Sequence, residues 1–154
     1  AFITWLQEKQ APAFVIATAN AVDRLPPELL RKGRFDEIFF VDLPNASERR
    51  QILSIHLAKH GRASADIEIA ELAEQCEHFS GAELEQVIVD GLYRAFRSKR
   101  DLTSEDLAVA IKMTVPLYRT YEDEIKGLRE WAAPRARKAS TDDRLSDLWG
   151  GSST

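Results

Sequence analysis

The sequence predicts a short α/β segment followed by an all-α domain, and three observations support this fold class. Two apolar runs without polar alternation, residues 14–17 and 38–41, are typical of strands in a parallel sheet covered on both faces. Apolar residues then recur at helical spacing through most of residues 46–133. Beyond that stretch the periodicity stops. We therefore expect an α/β region over residues 1–45, a helical domain over 46–133 and a mobile tail over 134–154.

The composition is that of one globular domain. The chain has 154 residues, of which 44% are apolar and 30% charged, and its net charge is −4. Because acidic and basic residues are mixed along the chain, the charge gives no reason to expect nucleic acid as a partner. The one cysteine excludes an intrachain disulfide, and no Cys/His cluster suggests a metal. No apolar run has membrane-spanning length, so we expect no membrane partner and a reducing compartment.

The first region contains the elements that bear most directly on function. Residues 2–9 have helical spacing and predict a short amphipathic helix, with Trp5 as a core aromatic. The strand over 14–17 leads to a polar tip that ends at Asn20. An asparagine at such a place can be an ordinary turn residue, so its role depends on the surrounding motif.

A short helix led by two prolines and ended by Gly33 carries a pair of arginines. Arg31 and Arg34 lie three residues apart, so their side chains can project to the same side. A planar, permanently charged guanidinium suits a phosphate. The alternative is that both arginines only offset the dipole at the end of the helix.

Helical periodicity divides the all-α domain into successive helices. The first begins at a polar stretch after residue 44 and ends at Gly61; the others are predicted over residues 67–79, 84–97, 107–113 and 121–133. Ser80 with Glu83 has the spacing of a capping box. The residues expected to face inward in the second and third helices are Ile69, Leu72, Ala73, Cys76, Leu84, Val87, Ile88, Leu92 and Phe96.

The motifs ATAN, LPPELLRKGRFDE and FFVDLP resemble the second region of homology of classical-clade AAA+ ATPases. Asn20 falls on the sensor 1 position, and Arg31 and Arg34 fall on the paired arginine fingers; Lys32 stands where the family usually has proline. The narrower resemblance is to AAA proteins encoded in plastid and cyanobacterial genomes. It implies a fragment of a P-loop NTPase core, with two parallel strands and helices, followed by an all-α lid subdomain.

The same resemblance assigns nucleotide contacts to the lid. In related ATPases the residues matching Ile52 and His56 lie against adenine and ribose, and Gly81 and Ala82 match the place where the backbone approaches adenine. A lone helical histidine is also often a packing or surface residue. A capping role for Ser80 is compatible with a nucleotide beside it.

Two motifs required for phosphoryl transfer are missing. The sequence has no GxxxxGK[ST] loop and no strand that ends in the acidic pair that holds magnesium. The resemblance therefore implies that ATP or ADP is bound with Mg²⁺ whose ligands lie outside this chain, and that the chain alone does not hydrolyse ATP. The strand that carries the phosphate loop would lie between the two strands predicted here. We therefore expect residues 1–44 to be less ordered, rearranged or completed by another chain.

The family implies a homo-oligomer, by default a hexameric ring, that couples ATP hydrolysis to remodelling of a protein substrate. The partners would be the other subunits and the missing N-terminal half of the ATPase core. Localisation would be cytoplasmic, or the plastid stroma if the gene is plastid-encoded. The alternative interpretation is a non-catalytic helical interaction or adaptor module, inactive because both phosphate-binding motifs are absent.

Overall fold

A computed structural model describes most of the chain. The described residues are 4, 5, 8, 12–30, 34–62 and 67–140. Thr4, Trp5 and Glu8 are helical, in agreement with the helix predicted there, and the Trp5 side chain is about half exposed rather than in the core. The remaining residues of that predicted helix, together with Arg31, Gly33 and most of the predicted tail, lie outside the described residues.

Within the described residues, helices dominate. The α-helices are α1 (Ala46–Lys59), α2 (Ile69–Gln75), α3 (Gly81–Arg97), α4 (Ser104–Met113) and α5 (Glu122–Ala132). The strands are β1 (Phe39–Phe40) and β2 (Arg137–Lys138), and 3₁₀ turns cover Val22–Arg24, Pro27–Leu30 and Leu117–Arg119. The helix predicted before Gly33 is thus a 3₁₀ turn where it is described. The predicted fold class, two parallel strands with helices together with an all-α region, is confirmed, but the strand that pairs with β1 comes after the helices and not before them.

Capping boxes fix the starts of three helices. They pair Asn45 with Glu48 at α1, Ser80 with Glu83 at α3, and Thr103 with Asp106 at α4. In each box the side chains satisfy backbone N–H groups that the helix itself leaves without partners. The capping box predicted for Ser80 and Glu83 is therefore confirmed, as is the start of the first helix in the polar stretch after residue 44.

The core lies between α3 and the helices packed on it. α3 packs against α1 and α4, and α2 packs against both of those helices. The buried apolar residues of the core are Leu53, Leu57, Ile67, Leu72, Ala73, Cys76, Phe79, Leu84, Val87, Ile88, Ala95, Leu102, Leu107, Ala110 and Ile111. Most of the residues predicted to face inward are among them, and Ile69 and Leu92 are partly buried against the cluster.

One predicted core residue of α3 is exposed. The side chain of Phe96 is 79% exposed, so its placement in the core was wrong. The buried stripe of α3 runs through Gly91 and Ala95. Phe96 follows Ala95 directly, and the helical rotation of 3.6 residues per turn carries its side chain away from that stripe.

The strand predicted over residues 14–17 is not formed. Residues 12–19 adopt neither helix nor strand, and the side chains of Phe14 and Ile16 are 93% and 79% exposed. A strand needs a neighbour to pair its backbone groups, and the strand that would lie beside this one is not encoded in the chain. The prediction of a buried strand over residues 14–17 was therefore wrong.

The second strand of the sheet lies instead in the region assigned to the tail. β1 and β2 are parallel, with Phe39 opposite Arg137 and Phe40 opposite Lys138. The Arg137 amide donates to the Ile38 carbonyl over 2.8 Å, and the Ala139 amide donates to the Phe40 carbonyl over 2.9 Å. The start of the tail therefore returns to the segment that precedes the helices.

Candidate functional site

The facing surfaces of α1 and α3 bring together three of the predicted nucleotide contacts. Ile52 and His56 lie one turn apart on α1, and Gly81 is the first residue of α3. A Cβ atom at Gly81 would lie 3.9 Å from Cδ1 of Ile52. The fourth predicted contact, Ala82, follows Gly81 and is exposed. Backbone and apolar side chain thus form one continuous surface at the start of α3.

His56 forms the second contact between the two helices. Its side chain is 18% exposed, and its Nδ1 atom lies 3.4 Å from Oε1 of Glu85, one turn after Gly81 on α3. This Nδ1 atom is buried, its contact with Glu85 does not have the geometry of a hydrogen bond, and it has no other hydrogen-bond partner among the described residues. A buried polar atom in this state can be satisfied by an internal water.

A lysine binds the carboxylate beside His56. Lys59 Nζ donates to Oε1 of Glu85 over 3.0 Å. That hydrogen bond, followed by the positive charge of Lys59, lowers the pKa of Glu85 below its usual value. The imidazole therefore lies next to a negative charge at neutral pH. An apolar side chain, an exposed backbone turn and a polar pair in one place can accommodate a ligand with a flat apolar end and a hydroxyl-bearing end.

A glutamate holds the turn at the start of α3 in position. Oε2 of Glu83 accepts hydrogen bonds from the Ser80 amide and the Ser80 hydroxyl, each over 2.7 Å. The Glu83 amide in turn donates to the Ser80 hydroxyl oxygen over 3.3 Å. The box engages the amides of Ser80 and Glu83 and not those of Gly81 and Ala82, so the latter remain at the open end of the helix.

The predicted phosphate-facing residues lie in the N-terminal segment. Asn20 occupies a bend and is exposed. Nη1 of Arg34 donates to the Glu28 carbonyl over 2.7 Å. Arg31 lies outside the described residues. None of the hydrogen bonds or ion pairs described for the α1–α3 surface reaches Asn20 or Arg34.

Sequence reasoning missed Glu85 and Lys59. A weak signal for Glu85 existed, because it lies four residues after Gly81 and therefore on the same helical face. Lys59 had no such signal, since it meets Glu85 only through the packing of α1 on α3. Among the described residues, no group of three or more His, Cys, Asp or Glu side chains could hold a metal ion. No helix in the same part of the chain is long and apolar enough to cross a bilayer.

Two family models match the chain in succession. The model of the ATPase family associated with various cellular activities (AAA) matches residues 1–43, and the model of the AAA+ lid domain matches residues 66–109. The first match covers the segment with Asn20, Arg31 and Arg34, and the second covers α2, α3 and part of α4. The two matches agree with a P-loop NTPase core fragment followed by a helical lid.

Relatives from algae and archaea align with most of the chain. The AAA domain-containing protein ycf46 of Pyropia yezoensis is 52% identical over 141 residues, which are 90% of this chain and 29% of the relative. The ycf46 protein of Trieres chinensis is 42% identical over 146 residues, 94% of this chain and 29% of the relative. The proteasome-activating nucleotidase of Aeropyrum pernix is 39% identical over 99 residues, 64% of this chain and 24% of the relative. The chain thus spans less than a third of the length of these proteins.

Proposed function

Because this chain belongs to the AAA ATPase family, we propose that it supplies the adenosine-facing lid of an ATP site in a longer protein. The observation that carries the proposal is the meeting of Ile52 with Gly81 on one surface that also holds the partly exposed side chain of His56. Ile52 offers the apolar contact that adenine needs. The backbone at Gly81 would leave room for the ring, and the partly exposed side chain of His56 would contact the ribose.

The ligand would be ATP or ADP with Mg²⁺, whose protein ligands lie outside this chain. When bound, the magnesium ion neutralises charge on the phosphates. This chain's residues act at the two ends of the nucleotide. Ile52, His56, Gly81 and Ala82 hold the adenosine end, and Asn20 orients the attacking water near the terminal phosphate through its side-chain amide.

The arginine pair implies that the full-length protein works as an oligomer. Arg31 and Arg34 would reach the nucleotide of a neighbouring subunit and stabilise the charge on the transferred phosphoryl group, so activity requires a ring, by default a hexamer. Hydrolysis would move the lid relative to the core and so remodel a protein substrate. The archaeal relative's name, proteasome-activating nucleotidase, fits this kind of work on proteins. Localisation would be the cytoplasm, or the plastid stroma for a plastid-encoded gene.

The adenosine contacts are tested by comparing two isoleucines of one helix in the full-length protein. Ile52→Ala should weaken ADP binding about tenfold, because losing an apolar contact of this size costs on the order of 1–2 kcal/mol. Ile55→Ala is the matched control, since Ile55 lies on the same helix with 62% of its side chain exposed. Titration of a fluorescent ADP analogue measures both. Equal affinity for the Ile52 variant and wild type would contradict the proposed contact, and no binding by wild type would favour the adaptor interpretation.

The trans arginines are tested by subunit mixing. Arg31→Ala or Arg34→Ala in the full-length protein should lower the ATPase rate by roughly 10³ to 10⁵, the range found for arginine fingers in GTPases, while ATP binding is retained. Mixing the arginine variant with an Asn20→Ala variant should restore part of the rate, because some interfaces then combine an intact amide with intact arginines. Full activity of the homogeneous Arg31 variant would contradict the assignment.

A further inference from the structure

A series of contacts connects the start of α3 to the end of β1, and it begins at the capping glutamate. Besides its bonds to Ser80, Glu83 accepts a hydrogen bond at Oε1 from the Leu117 amide over 2.7 Å. One carboxylate therefore joins the turn at Gly81 to the 3₁₀ turn after α4. Leu117 lies 34 residues after Glu83, and both carboxylate oxygens are engaged, so neither turn can shift without loss of a charge-assisted hydrogen bond.

Tyr118, the next residue of that 3₁₀ turn, contacts the residues just before Gly81. The ring of Tyr118 stacks on the ring of His78, with centroids 4.2 Å apart and planes within 11° of parallel. His78 has a φ angle of 69°, in the left-handed region, and lies three residues before Gly81. An L-residue adopts that backbone only where its surroundings hold it, and the stacked tyrosine supplies such a restraint.

Arg129 extends the contacts to the strand. Its guanidinium carbon lies 5.9 Å from the centroid of the Tyr118 ring, within the range of a cation–π contact. The same guanidinium forms a bidentate pair with Asp42, with Nε to Oδ2 at 2.8 Å and Nη2 to Oδ1 at 2.9 Å. Asp42 follows β1 after one residue, so α5 holds the end of the strand and the ring of Tyr118 at once.

We propose that Tyr118, Arg129 and Asp42 are positioning residues for the turn over residues 78–82, so that nucleotide affinity depends on contacts made by α5. This inference rests on the proposed function, because it concerns the same adenosine-facing turn. None of the three residues needs to touch the nucleotide. They act by fixing the start of α3 relative to the end of β1, and the cost of misplacing a preorganised binding turn appears as weaker binding.

A pair of substitutions at Tyr118 separates positioning from general stability. Tyr118→Leu in the full-length protein removes the ring that stacks on His78, whereas Tyr118→Phe keeps the ring and loses only the hydroxyl, whose contact with Glu122 is long at 3.4 Å. ATP affinity should fall by roughly 2- to 30-fold in the leucine variant, the range over which residues outside a site modulate binding. The phenylalanine variant should bind like wild type. Equal weakening by both variants, or by neither, would overturn the inference.

The arginine is tested by a double-mutant cycle. Arg129→Gln removes the bidentate pair, and Arg129→Lys, which keeps the charge but not the fork, serves if the first variant does not fold. Combined with Gly81→Ala, each should change ATP affinity by a factor that differs from the product of the single effects, because both residues act on one turn. Arg50→Gln is the matched control, since Arg50 also joins two helices through an exposed pair with Glu74 at 2.8 Å.

The outcomes distinguish the two proposals. If Gly81→Ala weakens ATP binding while Tyr118→Leu and the Arg129 variants do not, the positioning role is wrong and the adenosine site stands. If Gly81→Ala also leaves binding unchanged, the adenosine site itself is wrong, and the positioning role falls with it. Non-additive effects at Arg129 with an additive control at Arg50 support the proposal.

Discussion

The segment before α1 and the helical body, α1 to α5, contain similarly apolar stretches. These side chains are exposed in the segment before α1 and buried in the helical body. Ile16 exposes 79% of its side chain, whereas Leu84 and Ile88 are fully buried. A helix satisfies its backbone groups internally, so an amphipathic helix needs only other helices to cover its apolar face. A central strand needs paired neighbours before burial is possible, and those neighbours are absent from this chain. The local sequence is therefore sufficient to bury the apolar residues of the helical body, but it is not sufficient to bury those of the segment before α1.

The largest expected effect contrasts an apolar residue from each region. Leu84→Ala should lower the free energy of unfolding by about 2–5 kcal/mol, because it leaves a cavity in the packed core. Ile16→Ala should change the free energy of unfolding by less than about 0.5 kcal/mol, because the exposed Ile16 side chain makes few packing contacts that the substitution could remove. Urea denaturation of the two variants measures both values. Comparable destabilisation by both variants would contradict the claim that only the helical body buries its apolar residues.

A second contrast concerns two helical glycines. A Cβ atom at Gly91 would lie 2.5 Å from Cδ2 of the buried Leu107, so Gly91→Ala should destabilise the protein by about 1–3 kcal/mol through overpacking. Among the described residues nothing lies within 4 Å of a Cβ atom at Gly127 on α5, so Gly127→Ala should stabilise the protein by up to about 1 kcal/mol. Thermal unfolding should show shifts of opposite sign. A stabilising Gly91 variant would contradict the close packing of α3 on α4.

The helical body should also contain a pH-dependent contribution to stability. The bidentate hydrogen bonds from Arg100, opposed by burial and helped by Thr103, lower the pKa of Asp106 from 3.8 to about 2. Because the folded pKa is depressed, this stabilisation is present above pH 3.8 and is lost as the pH falls towards 2. The loss should be about 2 kcal/mol. In Asp106→Asn, the free energy of unfolding should depend less on pH between 3.8 and about 2 than it does in wild type. The same pH dependence in both proteins would contradict this role of Asp106.

The smallest expected effect lies at the boundary between the two regions. Asn45 caps α1, and its side chain accepts a hydrogen bond from the Glu48 amide over 2.9 Å. Asn45→Ala should lower the free energy of unfolding by about 1 kcal/mol, the usual cost of losing such a cap, and Asn45→Asp should restore most of it. Chemical denaturation checks both variants. Equal stability of the alanine and aspartate variants would show that the side-chain cap at residue 45 does not stabilise the start of α1.

What the sequence could predict follows the same division. Helix starts such as Ser80–Glu83 were predictable because a capping box is a local pattern, and inward residues such as Leu84 were predictable from helical spacing. β2 was not, because its two residues, Arg137 and Lys138, are polar and exposed and become a strand only by pairing with β1. Pairing across that many residues leaves no local trace in a single sequence.

The candidate site shows the same limit. The resemblance assigned Ile52, His56 and Gly81 to one ligand, and the structure brings Ile52 and Gly81 together and sets His56 one turn further along. The partner of His56, Glu85, and the bond from Lys59 depend on how α1 packs on α3 and were not predicted. The roles of Asn20, Arg31 and Arg34 remain predictions from the resemblance.

The affinity of the full-length protein for ATP, measured for one added methyl group, tests the central claim most directly. A methyl at Gly81 has room inside the chain, since its nearest neighbour is Cδ1 of Ile52 at 3.9 Å. Gly81→Ala should therefore fold normally and yet bind ATP about tenfold more weakly, because the methyl occupies space where adenine approaches the backbone. Gly127→Ala should bind ATP as wild type does. A Gly81→Ala protein with undiminished ATP affinity would contradict the assignment of this surface to the nucleotide.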